Sequence, residues 1–297
     1  MSVLILDGGT GRELARIGAP FQQPEWSALA LIEAPEFVSQ VHQRYVDAGA
    51  DVITTNSYAV VPFHIGQERF DAHGLEWAGL AGRLARDVAD AAPRQVAVAG
   101  SLPPVSGSYR PDLIDLERSR TVLSVLVTAL APHVDHWQAE TLSAIAEAEL
   151  VADLVAPTGK PLWLSFTLAD EDPAAPVQLR SGESVADAAA AAQRLGAKAL
   201  LFNCSQPEVM AAAVGQAKTA LAGTDVAIGV YANAFPPQGA DAEANSGLSP
   251  IRADLTPEGY AAFARAWAGE GATILGGCCG IGPEHIAVLR QELAARS

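Results

Sequence analysis

Short apolar runs alternate along the chain with longer stretches in which apolar residues recur at helical spacing. Each run ends at a glycine, a small polar residue or an acidic residue, which is typical of buried strands that lead into turns. The predicted strands cover residues 3–6, 52–55, 96–99, 134–139, 162–166, 199–202, 226–231 and 273–275. The predicted helices cover residues 35–48, 72–91, 116–130, 142–155, 185–195, 207–221, 257–267 and 283–295.

Eight strand–helix units in 297 residues predict a (β/α)8 TIM-type barrel, formed by one domain over residues 1–297. A doubly wound open sheet is the alternative, but the glycines after the first strand do not form the GxGxxG pattern of a dinucleotide site. Two connections, 169–183 and 235–255, are long. Loops of this length are usually functional or mobile, so either could close over a site.

Composition and charge limit the function further. Hydrophobic residues make up 49% of the chain and charged residues 18%, which predicts a well-packed globular protein. The formal net charge of −15 argues against nucleic acid or an anionic membrane as a partner, because both require basic patches. No secretory signal or membrane span is visible, and the number of cysteines is odd. We therefore expect a cytoplasmic protein that acts on small molecules.

The three cysteines indicate a metal site. Cys278 and Cys279 are adjacent and flanked by glycines, and Cys204 directly follows the sixth apolar run. The C-terminal ends of barrel strands share one rim, so these three thiols can meet although they lie far apart in sequence. Three thiolates would bind Zn²⁺ and leave its fourth position open, as in catalytic zinc sites. The alternative is three buried free thiols, since cysteine also packs as a small hydrophobic residue.

A zinc ion with three thiolates has a net charge of −1, which makes it a poor Lewis acid toward water. Its sulfur-rich shell suits a soft fourth ligand such as another thiolate. Coordination deprotonates a thiol at neutral pH. The predicted site therefore favours thiol activation over hydrolysis.

Polar residues at other strand ends are candidates for substrate binding. Asp7 and Glu140 are suited to an ammonium group, although helix capping or a surface salt bridge would also explain them. Asn56 and Asn233 could instead satisfy turns, and Tyr58 could pack in the core. The candidate set is Asp7, Gly8, Thr54, Asn56, Tyr58, Ser101, Glu140 and Asn233.

Seven motifs in this order resemble the homocysteine S-methyltransferase family, and they extend over almost the whole chain. The cysteine pair together with the Asn-Cys-Ser motif is the most specific of them. The motifs are LDGG at 6–9, ITTNSY at 53–58, AGSLPP at 99–104, ET at 140–141, SFT at 165–167, NCSQPE at 203–208 and GGCCG at 276–280.

The resemblance implies a zinc-dependent barrel that methylates homocysteine to methionine, with Cys204, Cys278 and Cys279 as zinc ligands. It also implies that Asp7 and Glu140 hold the amino-acid end of the substrate. The family's donors are S-methylmethionine, S-adenosylmethionine or betaine, or a methylated corrinoid or folate in multidomain members. Two loops depart from the family pattern, at 105–113 and 231–237, and both would border the donor.

We therefore predict methyl transfer from a sulfonium donor, S-methylmethionine or S-adenosylmethionine, to the homocysteine thiol. One alternative is the methylation of another thiol or a selenol at the same zinc site. A second alternative, from a different class, is a zinc-binding barrel without catalysis.

Overall fold

In a computed structural model that describes residues 3–237 and 250–293, eight parallel strands form a barrel. The sheet order is β1-β8-β7-β6-β5-β4-β3-β2, and a parallel bridge between Leu6 and Val52 joins the two edges. The predicted (β/α)8 fold is therefore confirmed. The strands are β1 (Leu4–Ile5), β2 (Val52–Thr54), β3 (Ala97–Leu102), β4 (His136–Leu142), β5 (Leu162–Phe166), β6 (Ala199–Asn203), β7 (Ala227–Tyr231) and β8 (Ile274–Leu275).

Helices cover the outside of the sheet. Gly49 and Gly196, with φ of +102° and +71°, follow the ends of two of them, where a left-handed residue closes the last turn. The helices are α1 (Thr10–Arg16), α2 (Ser27–Glu33), α3 (Pro35–Asp47), α4 (Pro62–Ile65), α5 (Gln67–Ala91), α6 (Leu116–Leu130), α7 (Ile145–Val155), α8 (Val185–Arg194), α9 (Pro207–Ala220), α10 (Pro257–Glu270) and α11 (Pro283–Leu293).

Two parts of the chain differ from the expected elements. Residues 134–139 were predicted as a strand followed by a helix from 142, but β4 continues to Leu142 and α7 begins at Ile145. As a result Glu140 lies within a strand, where its side-chain direction is fixed by the pleat. The loops after β1 and β2 also contain α1, α2 and α4, which the strand–helix alternation did not predict. The end of the predicted last helix, 294–295, lies outside the described residues.

Two hydrophobic clusters stabilise the barrel. The larger one lies between the sheet and the helices and includes the fully buried Trp137 and Trp267. The smaller one fills the barrel interior. Gly229 is required there, because a Cβ at this position would lie 2.8 Å from Leu201 Cδ2 and 2.9 Å from Ile274 Cβ. The interior cluster comprises Leu6, Val52, Ala99, Ala199, Leu201, Tyr231 and Ile274.

The packed interior leaves the C-terminal ends of the strands as the place where side chains can meet a ligand. A cavity opens at this end and is lined by residues from the loops after several strands. Within residues 3–237 and 250–293, no helix combines the length and hydrophobicity needed to cross a membrane.

Candidate active site

The three cysteines meet at the C-terminal end of the barrel. Cys204 follows β6, and Cys278 and Cys279 follow β8. All three sulfur atoms lie within 4.8 Å of one another, and the Sγ atoms of Cys204 and Cys278 are 2.8 Å apart. None of the three forms a disulfide.

These residues fit a bound zinc ion. Three thiolates confined to so small a space would repel one another, and a divalent cation would offset that repulsion. An all-sulfur donor set favours zinc over hard cations such as Mg²⁺. The cluster could therefore hold a metal ion, and its donor set suits zinc.

Gly8 and Gly9 allow the loop after β1 to pack against the cysteine loop. A Cβ on Gly8 would lie 2.2 Å from the carbonyl oxygen of Ile281, and one on Gly9 would lie 2.6 Å from the carbonyl oxygen of Cys278. The Gly9 amide also donates a hydrogen bond to the Ile281 carbonyl over 3.0 Å. Gly8 lines the cavity, and this close approach explains why a glycine stands there.

Asp7 presents a buried carboxyl to the cavity. Its oxygens accept hydrogen bonds from the backbone amide of Thr54 at 2.6 Å and from the Thr54 hydroxyl at 3.0 Å. Burial nevertheless raises the pKa of Asp7 to about 7, because desolvation disfavours the charged form more than these bonds favour it.

Glu140 is the second buried carboxyl. It accepts hydrogen bonds from the hydroxyl of Ser101, from Tyr231 Oη at 3.3 Å and from Gln138 Nε2 at 3.4 Å. Burial raises its pKa to about 6. Within the described residues, neither Asp7 nor Glu140 forms a salt bridge. Two buried carboxyls without an ion-pair partner are a suitable site for a ligand's ammonium group.

The other predicted residues take different positions around the cavity. Asn56 and Tyr58 line it, with Asn56 donating to the Ser27 carbonyl over 3.0 Å and Tyr58 bonded to Ser108 over 2.6 Å. Ser101 lies outside the lining, behind Glu140 and Thr55. Its hydroxyl donates to Glu140, and its amide donates to the Thr55 hydroxyl over 3.0 Å. Asn233 lies outside the lining and accepts the amide of Phe235 over 3.1 Å, as in a side-chain turn.

Several lining residues were not singled out from the sequence. Gln138 lies two residues before Glu140 and therefore points to the same side of β4, which is a usable signal. Tyr231 ends β7 and could have been found in the same way. The wall residues Trp26, Tyr109 and Phe235 come from loops, where periodicity gives no indication of side-chain direction.

Unusual backbone conformations concentrate at the cavity. Among the described residues, four non-glycine residues have positive φ: Trp26, Tyr109, Thr141 and Cys204. All four line the cavity. Such conformations cost about 1–3 kcal/mol each and persist where surrounding contacts enforce them, often at functional sites.

Comparison with known proteins gives one consistent result. The family described as homocysteine S-methyltransferase matches residues 4–293. Homocysteine S-methyltransferase 1 of Zea mays is 29% identical, over 99% of this chain and 95% of that protein. Selenocysteine Se-methyltransferase of Brassica oleracea var. italica is 27% identical, over 98% of this chain and 89% of that protein.

A solved structure agrees with these sequence matches. The metallated form of the homocysteine methyltransferase MmuM from Escherichia coli superposes with a TM-score of 0.78 at 29% identity. The match covers 100% of this chain and 97% of that one.

Proposed function

Because this chain belongs to the homocysteine S-methyltransferase family, we propose that it transfers a methyl group from a sulfonium donor to the thiol of homocysteine, giving methionine. The observation that carries the proposal is that three cysteine sulfurs and two buried carboxyls, neither of which forms a salt bridge in the described part of the chain, line the same cavity. A protein that only stored zinc would not need the carboxyls.

Cys204, Cys278 and Cys279 would hold the zinc ion. When bound there, zinc supplies a means of deprotonating the acceptor thiol at neutral pH. The cysteines would place that thiol in the cavity that they line. The close packing of the first loop against the cysteine loop supports a fixed position for the cluster.

Asp7 and Glu140 would bind the ammonium group of the acceptor. Its positive charge offsets the cost of their burial, so both carboxyls would be ionised in the complex. Thr54 orients the carboxyl of Asp7, and Ser101 and Tyr231 orient that of Glu140. Binding the amino end and the sulfur at two separate places fixes the thiol in line with a donor.

The aromatic side chains of Trp26 and Tyr58 in the cavity lining support a cationic donor. Aromatic faces attract cations, including sulfonium groups. A sulfonium leaves as a neutral thioether, so no general acid is required, and positioning and exclusion of water supply most of the rate. S-methylmethionine and S-adenosylmethionine both carry this group.

A selenol acceptor is the second candidate function. The similarity to a relative named selenocysteine Se-methyltransferase favours it. A selenolate is also a soft ligand for zinc. The carboxyl pair would bind either amino acid, so the length of the side chain would decide between them.

The test is an assay of the zinc-loaded protein with homocysteine or selenocysteine against S-methylmethionine, S-adenosylmethionine and betaine, with products identified by mass. We expect methionine from homocysteine and a sulfonium donor, and no product after the metal is removed with a chelator. Zinc-loaded protein that turns over none of these pairs would contradict the proposal.

A further inference from the structure

The sulfur of Cys204 has a hydrogen-bond donor in the cavity wall. The hydroxyl of Tyr109 donates to Cys204 Sγ over 3.1 Å, and both residues are buried. Tyr109 lies in the loop after β3, whereas Cys204 follows β6. The contact therefore depends on how two separate loops are placed, and local sequence does not impose it.

Both partners of this bond have a left-handed backbone, with φ of +68° at Tyr109 and +52° at Cys204. Residues with side chains rarely adopt this conformation, and it persists only where surrounding contacts over-determine it. Gly107, at φ +104°, packs against the ring of Phe63 and helps to turn the loop that carries Tyr109.

Arg180 holds the ring of Tyr109 from the other side. Its guanidinium carbon lies 4.9 Å from the centre of the ring, within the range of a cation–π contact. Arg180 belongs to the long loop 169–183. It forms an ion pair with Asp170 at 2.6 Å, and the exposed fractions of the two side chains are only 4% and 0%. An ion pair this deeply buried has a fixed geometry.

Asp170 in turn connects to the loop that carries Cys204. Its second carboxyl oxygen accepts the backbone amide of Gln206 over 2.9 Å. The side-chain amide of Gln206 donates to the Asp170 carbonyl over 2.6 Å. The contacts therefore form a closed ring of groups, from Cys204 through Tyr109, Arg180 and Asp170 to Gln206, which lies two residues beyond Cys204.

We propose that Tyr109 is a positioning residue for the metal site: its hydroxyl orients and stabilises the deprotonated sulfur of Cys204, and the Arg180–Asp170 pair holds Tyr109 in place. This inference rests on the proposed zinc site. It also gives loop 169–183 a role, since Arg180 and Asp170 connect that loop to Tyr109 and to Gln206, which lies two residues beyond Cys204.

The physical reason is that a thiolate ligand keeps lone pairs that accept hydrogen bonds after it binds a metal. A donor held at one of them reduces the charge on the sulfur and restricts rotation of the side chain. Groups that orient metal ligands in this way typically affect metal affinity by about 10–100-fold. The nearby guanidinium makes the phenol a better donor, because it withdraws electron density from the ring.

The test compares the full-length wild type with Tyr109→Phe, Arg180→Lys and Tyr58→Phe in zinc affinity, measured by chelator competition. We expect Tyr109→Phe to weaken zinc binding by about 10–100-fold. Arg180→Lys keeps the ion pair but loses the planar stacking group, so its loss should be smaller. Tyr58→Phe is the matched control, because the Tyr58 hydroxyl bonds to Ser108 and not to sulfur. Its zinc affinity should equal that of the wild type.

A second measurement separates positioning from a general effect on folding. In the Co²⁺-loaded protein, loss of the hydrogen bond raises the energy of the sulfur lone pairs, so the sulfur-to-cobalt absorption should move to longer wavelength in Tyr109→Phe. It should not move in Tyr58→Phe. Unchanged zinc affinity and an unchanged cobalt spectrum in Tyr109→Phe would overturn this inference alone. Wild-type protein that binds neither ion would overturn the zinc site as well.

Discussion

The cavity has two halves that are built differently. In one half, Asp7, Glu140 and the cysteines lie within strands or within four residues of a strand end. Backbone hydrogen bonds to neighbouring strands and strand ends, such as those of Asp7 to Val52 and of Cys278 to Ala232, help to fix their positions. In the other half, Trp26, Tyr109 and Phe235 line the cavity from loops. Trp26 and Tyr109 have a left-handed backbone there, as Cys204 has in the first half. The first half carries charge and sulfur, and the second is largely aromatic.

This difference indicates that the two halves of the cavity have different functions. Strand ends give the precise placement that thiol activation requires, whereas loops can change without disturbing the barrel. We therefore expect substitutions in the strand half to abolish the reaction or acceptor binding. Substitutions of Trp26 and Phe235 in the loop half should change donor recognition more modestly. Tyr109 is the exception in that half, because its hydroxyl contacts Cys204.

The largest effect is expected from removing a sulfur. Cys278→Ser replaces one of three soft ligands with a poor one, so stoichiometric zinc should be lost. Methyl transfer should then fall by roughly 1,000-fold, or about 4 kcal/mol in transition-state stabilisation. Metal analysis and initial rates measure the two effects, and circular dichroism verifies the fold. A variant that keeps both zinc and activity would show that Cys278 is not a ligand.

The next effect concerns the buried carboxyl of the strand half. Glu140→Ala should weaken homocysteine binding by about 2–5 kcal/mol, as expected when a buried charge pair loses one partner, and zinc content should stay unchanged. Calorimetry on the zinc-loaded protein measures the affinity.

Glu147→Gln is the matched control for Glu140. Burial also raises the pKa of Glu147, to about 7, but its carboxylate accepts the backbone amides of Ser143 and Ala144 at 2.8 and 3.2 Å. It lies outside the cavity lining. This variant should keep homocysteine affinity and lose only stability. If Glu140→Ala binds homocysteine as tightly as the wild type does, Glu140 has only a structural role.

The site residues that could be predicted from the sequence are mainly those of the strand half. The convergence of Cys204 with Cys278 and Cys279 was predictable, because strand ends of a parallel barrel share one rim. Asp7 and Glu140 were predictable for the same reason. The position of Ser101 behind Glu140 was not, since it depends on β3 continuing to Leu102 and on the exact extent of β4.

The loop half could not be predicted in this way. The contact of Tyr109 with Cys204 joins residues 95 positions apart through loops without periodicity, and Arg180 reaches the same place from a third loop. Helices α1 and α2 were missed because they are short insertions within a loop. Part of the second long loop, 238–249, lies outside the described residues, so whether 235–255 closes the site stays a prediction.

In the loop half, Trp26→Leu should raise the KM for a sulfonium donor by about tenfold. This corresponds to about 1.4 kcal/mol, within the range of a cation–π contact. Homocysteine affinity should not change. Trp77→Leu, on α5 and outside the cavity lining, is the control and should leave both quantities unaltered. A loss of homocysteine affinity in Trp26→Leu, equal to the loss in donor affinity, would remove the distinction between the halves.

The smallest expected effect is the number of protons released when a ligand binds. It tests two functions of the strand half together, the binding of the ammonium group and the binding of the thiol. Burial raises the pKa of Asp7 to about 7 and that of Glu140 to about 6, so near pH 6.5 both are partly protonated in the free protein. An incoming ammonium group favours their ionised forms and lowers both pKa values. Binding an amino acid should therefore release protons at pH 6.5, and fewer at pH 8, where both groups are already ionised.

The acceptor thiol adds a second source of protons, and its contribution changes little between pH 6.5 and 8. A free thiol has a pKa of about 8.5 and is still mostly protonated at pH 8, while coordination requires the thiolate. 2-Aminobutyrate has the homocysteine skeleton without sulfur, so it should release protons at pH 6.5 and almost none at pH 8. Homocysteine should release about one additional proton at pH 6.5 and about three-quarters of one at pH 8. Calorimetry of the zinc-loaded protein in buffers of different ionisation enthalpy gives the counts. Equal release by the two ligands at pH 8 would mean that the thiol keeps its proton, and 2-aminobutyrate release that does not fall between pH 6.5 and 8 would mean that the ammonium group binds elsewhere.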